Sequence, residues 1–210
     1  MVEPRLEENL RNDIAVLTPI TDPTSRSVRA FYEETPYPRW SSVEKIEAVE
    51  AARVLRHLFP GKVALFEDFP KAPEVLVAGC GTGRHPILAA QLYAHAQVLA
   101  IDLSLASLAY ATRKAREAAI ANLRFAHADL LNLDESAGAF DIIESSGVLV
   151  CVEDPFAGLQ NLAKRLRPGG AMKIALYSEA ARQHVVRARA FIAEKGFDST
   201  PQGIRACREA

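Results

Sequence analysis

From residue 74 onward, apolar runs of strand length alternate five times with stretches of helical spacing, and this alternation restricts the fold more than any single residue does. Val75 to Ala78, Gln97 to Asp102, Leu123 to His127, Phe140 to Glu144 and Met172 to Tyr177 read as short strands. Between them, Pro86 to His95 reads as a helix, Ser104 caps a long one to about Ala121, and Asp154-Pro155 caps one that stops at RPGG. Ser178 or Glu179 opens a last helix to Lys195, with Gly196 as its left-handed end. Apolar strands that are each followed by a helix are covered on both faces, so the expected fold is α/β with a five-stranded parallel sheet.

Ahead of this pattern the chain is less regular. LEENLRNDIAVL gives a weak helix, TPITDPTS a linker marked by prolines, and SVRAFYEETPYPRW turns from helical to extended at Pro36 and Pro38. SSVEKIEAVEAARVLRHLFP reads as a helix capped by Ser41 or Ser42, with Ile46, Val49, Val54 and Leu58 as its apolar stripe and Pro60-Gly61 as its end. At 210 residues, 49 % hydrophobic and 24 % charged, the chain can bury one core. A net charge of -1 leaves no basic footprint for nucleic acid. Cys80, Cys151 and Cys207 are odd in number and form no CxxC pair, which argues against a disulfide scaffold or a metal site and for a reducing compartment. MVEPRLEENLRND lacks the apolar core of a leader, and no run reaches the ~18 apolar residues of a membrane span, so a cytoplasmic protein without a membrane partner is expected.

The first strand runs into a turn with glycine at 79, 81 and 83, in EVLVAGCGTGRHPI. In open parallel sheets ligands bind beyond the carboxyl ends of the strands, where a glycine turn lets backbone amides and a helix N-terminus approach an anionic group. A nicotinamide-binding turn prefers G-x-G-x-x-G, but here the third glycine comes one residue early and position 84 is Arg, a spacing suited to a smaller anion. Standing alone, such a turn equally serves to pack a helix closely on a sheet. Asp102, ending the second strand, suits the two hydroxyls of a ribose. Asp129, ending the third, suits the exocyclic amine of adenine, with Leu103 and Leu130 to sandwich the ring. Taken singly, Asp102 is as well explained as a helix cap and Asp129 as a turn residue. Their order after the glycine turn is what points to a nucleoside.

VLVAGCGTG, VLAIDLS, HADLLNL, FDIIESSGVL and LAKRLRPGGAMKIALYS together resemble the class I S-adenosylmethionine-dependent methyltransferases, over about residues 28 to 196. FYEETPYPRW, AGCGTGRH, DLSLASLAYA and LYSEAAR are similar, more narrowly, to bacterial methyltransferase domains often attached to tetratricopeptide repeats; the sequence shows no such repeat. The resemblance implies a Rossmann-like, doubly wound sheet in the order 3-2-1-4-5, with residues 1–40 as an N-terminal helical or lid segment and 41–210 as the S-adenosylmethionine-binding domain. It implies that Gly79, Gly81 and Gly83 hold the methionine part of the cofactor, Asp102 its ribose, and Asp129 with Leu130 its adenine. Two departures stand out. Val77 occupies a place where many relatives carry an acidic residue, and VLVC, with Val150 and Cys151, replaces a common VLHH, so a histidine base there is excluded.

Methyl transfer asks mainly that a nucleophile be held in line, kept deprotonated and shielded from water. Around the methyl group the candidates are Glu144, Ser145 and Ser146, with Tyr32, Tyr37 and Trp40 in a lid that can face the sulfonium. Arg39 or Arg84 suits the cofactor carboxylate. Phe31, Tyr32 and Trp40 serve equally well as anchors of an N-terminal helix. Cys151 and His127 read as core residues, and Arg182, His184, Arg187 and Arg189 as a solvated helix face. The expected activity is methyl transfer to an O, N or C nucleophile of a protein or small molecule; the alternative is a non-catalytic cofactor-binding module. The family's C-terminal antiparallel hairpin finds no room in FDSTPQGIRACREA, so a truncated chain is expected, with the fifth strand left as an edge open to self-association.

Overall fold

In the computed structural model, which describes residues 2–198 and 200–210, the run EVLVA forms the central strand of a parallel sheet. Two compact units are present, residues 1–175 and 176–210. The first holds the sheet: β1 (Ala15–Val16), β2 (Glu74–Ala78), β3 (Gln97–Asp102), β4 (Leu123–His127), β5 (Phe140–Ser146) and β6 (Leu166–Ala175), in the order β1-β4-β3-β2-β5-β6. All pairings are parallel. Val75, Leu76, Val77 and Ala78 are fully buried because helices cover both faces. On one face Val75, Val77, Val98 and Ala100 pack with Leu10, Leu55, Ala89, Tyr93 and Leu108; on the other, Leu76, Ala78, Ile101 and Ile143 pack with Leu130, Leu149 and Leu162.

The helices of this unit are α1 (Val2–Asp13), α2 (Pro23–Glu34), α3 (Ala51–Leu58), α4 (Arg84–Leu92), α5 (Leu105–Glu117) and α6 (Pro155–Lys164). Their starts follow the capping residues: Asp22 accepts from the Ser25 amide at 2.8 Å, Ser104 from Ser107 at 3.1 Å, and Asp154 from Phe156 at 2.9 Å. The second unit holds α7 (Gln183–Lys195), closed by left-handed Gly196, and α8 (Pro201–Glu209), capped by Thr200. Within it the Phe191 and Phe197 rings lie 6.0 Å apart.

The structure corrects three expectations. The sheet has six strands, not five: the additional β1 pairs Ala15 with Ala126 and Val16 with His127, and its two residues are too few for any periodicity to announce. Residues 41–50 are not helical, although their apolar spacing suggests it. The backbone there is held extended along α4, with the Val49 amide donating to Leu92 O at 2.7 Å and Val49 O accepting from Ala94 at 2.9 Å, so the helix begins only at Ala51. The last strand starts at Leu166 rather than Met172 and ends at Ala175, short of Tyr177; its register shifts opposite Phe140 and Ile142, where Arg167 reaches Asp141 at 2.7 Å. Among the described residues β6 is hydrogen-bonded to β5 alone.

Candidate functional site

The glycine turn connects β2 to α4 at the carboxyl end of the sheet. The amides of Gly79 and Cys80 both donate to Ile101 O at the end of β3, at 2.8 and 2.9 Å, which folds the turn back over the neighbouring strand. Gly79, Gly81 and Gly83 all have positive φ, but their surroundings differ. A Cβ on Gly79 would overlap the Val148 side chain, and one on Gly83 would overlap Ala111 of α5. At Gly81 the nearest atom is Tyr37 O, at 3.9 Å. Two of the three glycines therefore serve close packing, and Gly81 alone keeps an open face.

Asp102 braces this turn: Oδ2 accepts from the Gly81 amide at 2.8 Å and Oδ1 from the Ser104 amide at 2.9 Å. Burial pushes its carboxyl up from the ordinary value, against the pull of those amides. Each oxygen retains a lone pair for a further donor. Leu103, half-buried beside it, offers its carbonyl to His127 Nε2 at 2.9 Å. His127 is buried as expected, and burial lowers its ring below the ordinary histidine value.

The N-terminal segment lies over the turn. Tyr32 O accepts from Ser104 Oγ at 3.1 Å, and the Glu33 carboxylate receives the Leu105 amide at 2.6 Å, so the end of α2 is fastened to the start of α5. The extended stretch that follows is fastened to the turn: Pro38 O accepts from Thr82 Oγ1 at 2.5 Å, and Trp40 Nε1 donates to Thr82 O at 3.1 Å. Trp40 also packs edge-on against Tyr110, 6.0 Å between ring centres. Tyr37 is exposed and Tyr32 half-buried. Neither arginine of the expected carboxylate clamp is unengaged: Arg39 lies 3.6 Å from Glu7 with its guanidinium 5.3 Å from the Tyr110 ring centre, and Arg84 pairs with Glu44 at 2.9 Å.

Asp129 follows β4 and is 1 % exposed. Its Oδ1 accepts from the Leu131 amide at 3.0 Å, while Oδ2 has no hydrogen-bond partner among the described residues. A carboxylate oxygen left bare in the interior is costly unless a donor arrives from outside the chain. Thr18, from the stretch that reads as a linker, accepts from the Asp129 amide at 2.7 Å and holds the residue in place. Nothing in TPITDPTS announces this contact, because the partners are far apart in sequence. Leu130, buried, opens the short turn beyond.

Glu144 of β5 is 3 % exposed and fully engaged. Oε1 accepts from Tyr93 Oη at 2.8 Å and lies 3.7 Å from Lys173 Nζ; Oε2 meets His85 Nε2 at 2.6 Å. Burial pushes this carboxyl up, but the bonds and charges of His85, Tyr93 and Lys173 outweigh it, and the net direction is down. Burial beside that carboxylate raises the Tyr93 phenol far above its ordinary value. His85 is absent from the residues that sequence reasoning selects, since its partner lies on another strand. Ser145 is buried with Oγ unpartnered, whereas Cys151, expected in the core, is exposed because the turn at Leu149–Cys151 buries Leu149 alone.

Residues 75–170 match a family model described as a methyltransferase domain. This segment is similar to methyltransferase domains. It contains nearly all of β2, all of β3 to β5, the glycine turn, Asp102, Asp129 and Glu144. The chain is 38 % identical over 114 residues to the uncharacterized protein syc1184_c of Synechococcus sp., covering 54 % of this chain and 27 % of that protein. It is 37 % identical over 111 residues to a trans-aconitate 2-methyltransferase of Deinococcus radiodurans, covering 53 % and 40 %. The match thus spans well under half the length of either relative. Among solved structures, the cyclase SpnF is similar with a TM-score of 0.53 and 22 % identity, over 75 % of this chain and 61 % of that one, a likeness of fold. Two features of the site are open to a ligand: Asp129 Oδ2, which has no donor among the described residues, and the open face of Gly81, which leaves backbone accessible. No helix among the described residues is long and apolar enough to cross a membrane, and no group of three or more His, Cys, Asp or Glu among them is placed to hold a metal ion.

Proposed function

We propose that this protein transfers a methyl group from S-adenosylmethionine to an O, N or C nucleophile of a small molecule or protein. The observation that carries the reading is the unpartnered, buried Oδ2 of Asp129 within a segment similar to methyltransferase domains. Asp129 would accept the adenine amine, with Leu103 and Leu130 against the ring; Asp102 would take the ribose hydroxyls; the turn at Gly81 would meet the methionine end. The bound cofactor supplies an electrophilic methyl on a sulfonium. Residues 1–40 act as a lid on this account, with Tyr32, Tyr37 and Trp40 at the methyl end, and the ties of Pro38 and Trp40 to Thr82 support it. Arg39 and Arg84, each paired with a glutamate, steady that lid and the turn. The likeness to domains attached to tetratricopeptide repeats, and self-association along the free side of β6, belong to the same proposal.

A non-catalytic cofactor-binding module is the second reading, favoured by the full engagement of Glu144, which leaves that carboxylate no free oxygen for chemistry. Calorimetric titration with S-adenosylmethionine, followed by a screen for S-adenosylhomocysteine release, separates the two. The screen uses trans-aconitate, phosphoethanolamine and a lysine-containing peptide. Binding with release in at least one case is expected; binding without release from any acceptor sinks the enzymatic reading.

A further inference from the structure

The strand order contains a single reversal from β2 onward. From β2 the chain runs to β3 and β4 on one side, then returns to β5 and β6 on the other, so the crevice between the carboxyl ends of β2 and β5 is the switch point where such sheets take their ligands. Glu144 stands on β5 directly opposite Val77 of β2, and His85 is the second residue of the helix that leaves β2 through the glycine turn. Their 2.6 Å contact spans this crevice.

We propose that His85 is the proton acceptor of the site, its ring fixed by Glu144; the proposal rests on the methyltransferase reading and deepens it to an acceptor that arrives with its proton, a hydroxyl or an amine. The bonding around Glu144 sets the ring's orientation. An ionised carboxylate only accepts, and the Tyr93 hydroxyl on Oε1 and Lys173 at 3.7 Å favour the ionised form. The ring nitrogen on Oε2 is therefore the donor, Nε2–H, and in the neutral ring the lone pair lies on Nδ1. The Glu144 side chain is 4 % exposed and the His85 side chain 32 %, so the carboxylate is sealed while the imidazole reaches the surface. Arg84, adjacent to His85 in the chain, is paired with Glu44 at 2.9 Å.

In the step this arrangement serves, Nδ1 takes the acceptor's proton as the acceptor's electron pair forms the bond to the methyl carbon. The carbon–sulfur pair stays on sulfur, and the imidazolium then yields its proton to water. Glu144 is a positioning residue: it fixes the tautomer and stabilises the charged ring. The competing explanation is a strut that ties α4 to the sheet, for which the tautomer and a basic nitrogen are irrelevant.

Long-range proton–nitrogen NMR of the cofactor-free protein reads the ring directly. Nδ1 is expected bare and Nε2 protonated, and Glu144→Gln should relax this into a mixture of tautomers; a proton fixed on Nδ1 in the parent overturns the proposal. His85→Gln keeps an amide donor for Glu144 but removes the base. It should bind S-adenosylhomocysteine within about twofold of the parent, while S-adenosylhomocysteine release with phosphoethanolamine or the lysine peptide falls about 100-fold or more. Parental turnover by His85→Gln of an amine or hydroxyl acceptor also overturns the proposal. A parent that binds no S-adenosylhomocysteine contradicts the methyltransferase reading instead, and the ring measurement decides the base independently.

Discussion

Asp129 and Glu144 are both carboxylates buried near the carboxyl ends of the sheet, at 1 % and 3 % exposed, and they are used in opposite ways. Glu144 meets Tyr93, His85 and Lys173, with both oxygens taken. Asp129 spends one oxygen on the Leu131 amide and leaves the other bare. A satisfied buried carboxylate holds protein together; an unsatisfied one represents a cost that a ligand's donor can offset. The same contrast divides the glycines, two of which are pressed against Val148 and Ala111 while Gly81 stays open. Open and engaged groups thus share the glycine turn and the carboxyl end of one sheet.

The largest expected effect comes from breaking the supporting carboxylate. Glu144→Ala leaves the buried Tyr93 hydroxyl and the half-exposed His85 ring without their acceptor and opens a cavity, and should cost about 2–4 kcal/mol of stability in urea denaturation; a loss under about 1 kcal/mol would show that the cluster is not a clamp. Asp129→Asn attacks the other side of the comparison. It keeps the bond to Leu131 but replaces the bare acceptor, so S-adenosylhomocysteine affinity should fall by about 1.5–3 kcal/mol while stability holds or rises. Asp102→Ala should weaken cofactor binding by about 1–3 kcal/mol and also loosen the turn, since the amides of Gly81 and Ser104 lose their acceptor. Unchanged affinity in the folded variant would leave Asp102 a brace and nothing more. The smallest effect is on acid stability. Because the folded Glu144 carboxyl lies below its ordinary value, its contribution is complete above the ordinary carboxylate range and is lost as pH falls through the folded value, so the stability curve of Glu144→Gln should be flatter there.

Much of the scaffold is legible from local patterns: the apolar run before the glycine turn, the caps at Ser104 and Asp154, and the left-handed Gly196 all come from near neighbours in sequence. What stays hidden depends on distant partners. Residues 41–50 have helical spacing, yet the end of α4 holds Val49 extended. Thr18 reads as linker until Asp129 is beside it, and His85 reads as an ordinary helix residue until β5 brings Glu144 to it. The glycine motif likewise does not say which of its three members faces open space, for that depends on Val148 and Ala111.

The most direct test of the central claim is calorimetric titration of S-adenosylhomocysteine into the parent, Asp129→Asn and Glu144→Gln under one set of conditions. A receiving Asp129 and a supporting Glu144 predict binding to the parent, a loss of about tenfold or more in Asp129→Asn, and near-parental affinity in folded Glu144→Gln. Equal affinity in the parent and Asp129→Asn, or a loss confined to Glu144→Gln, would contradict it.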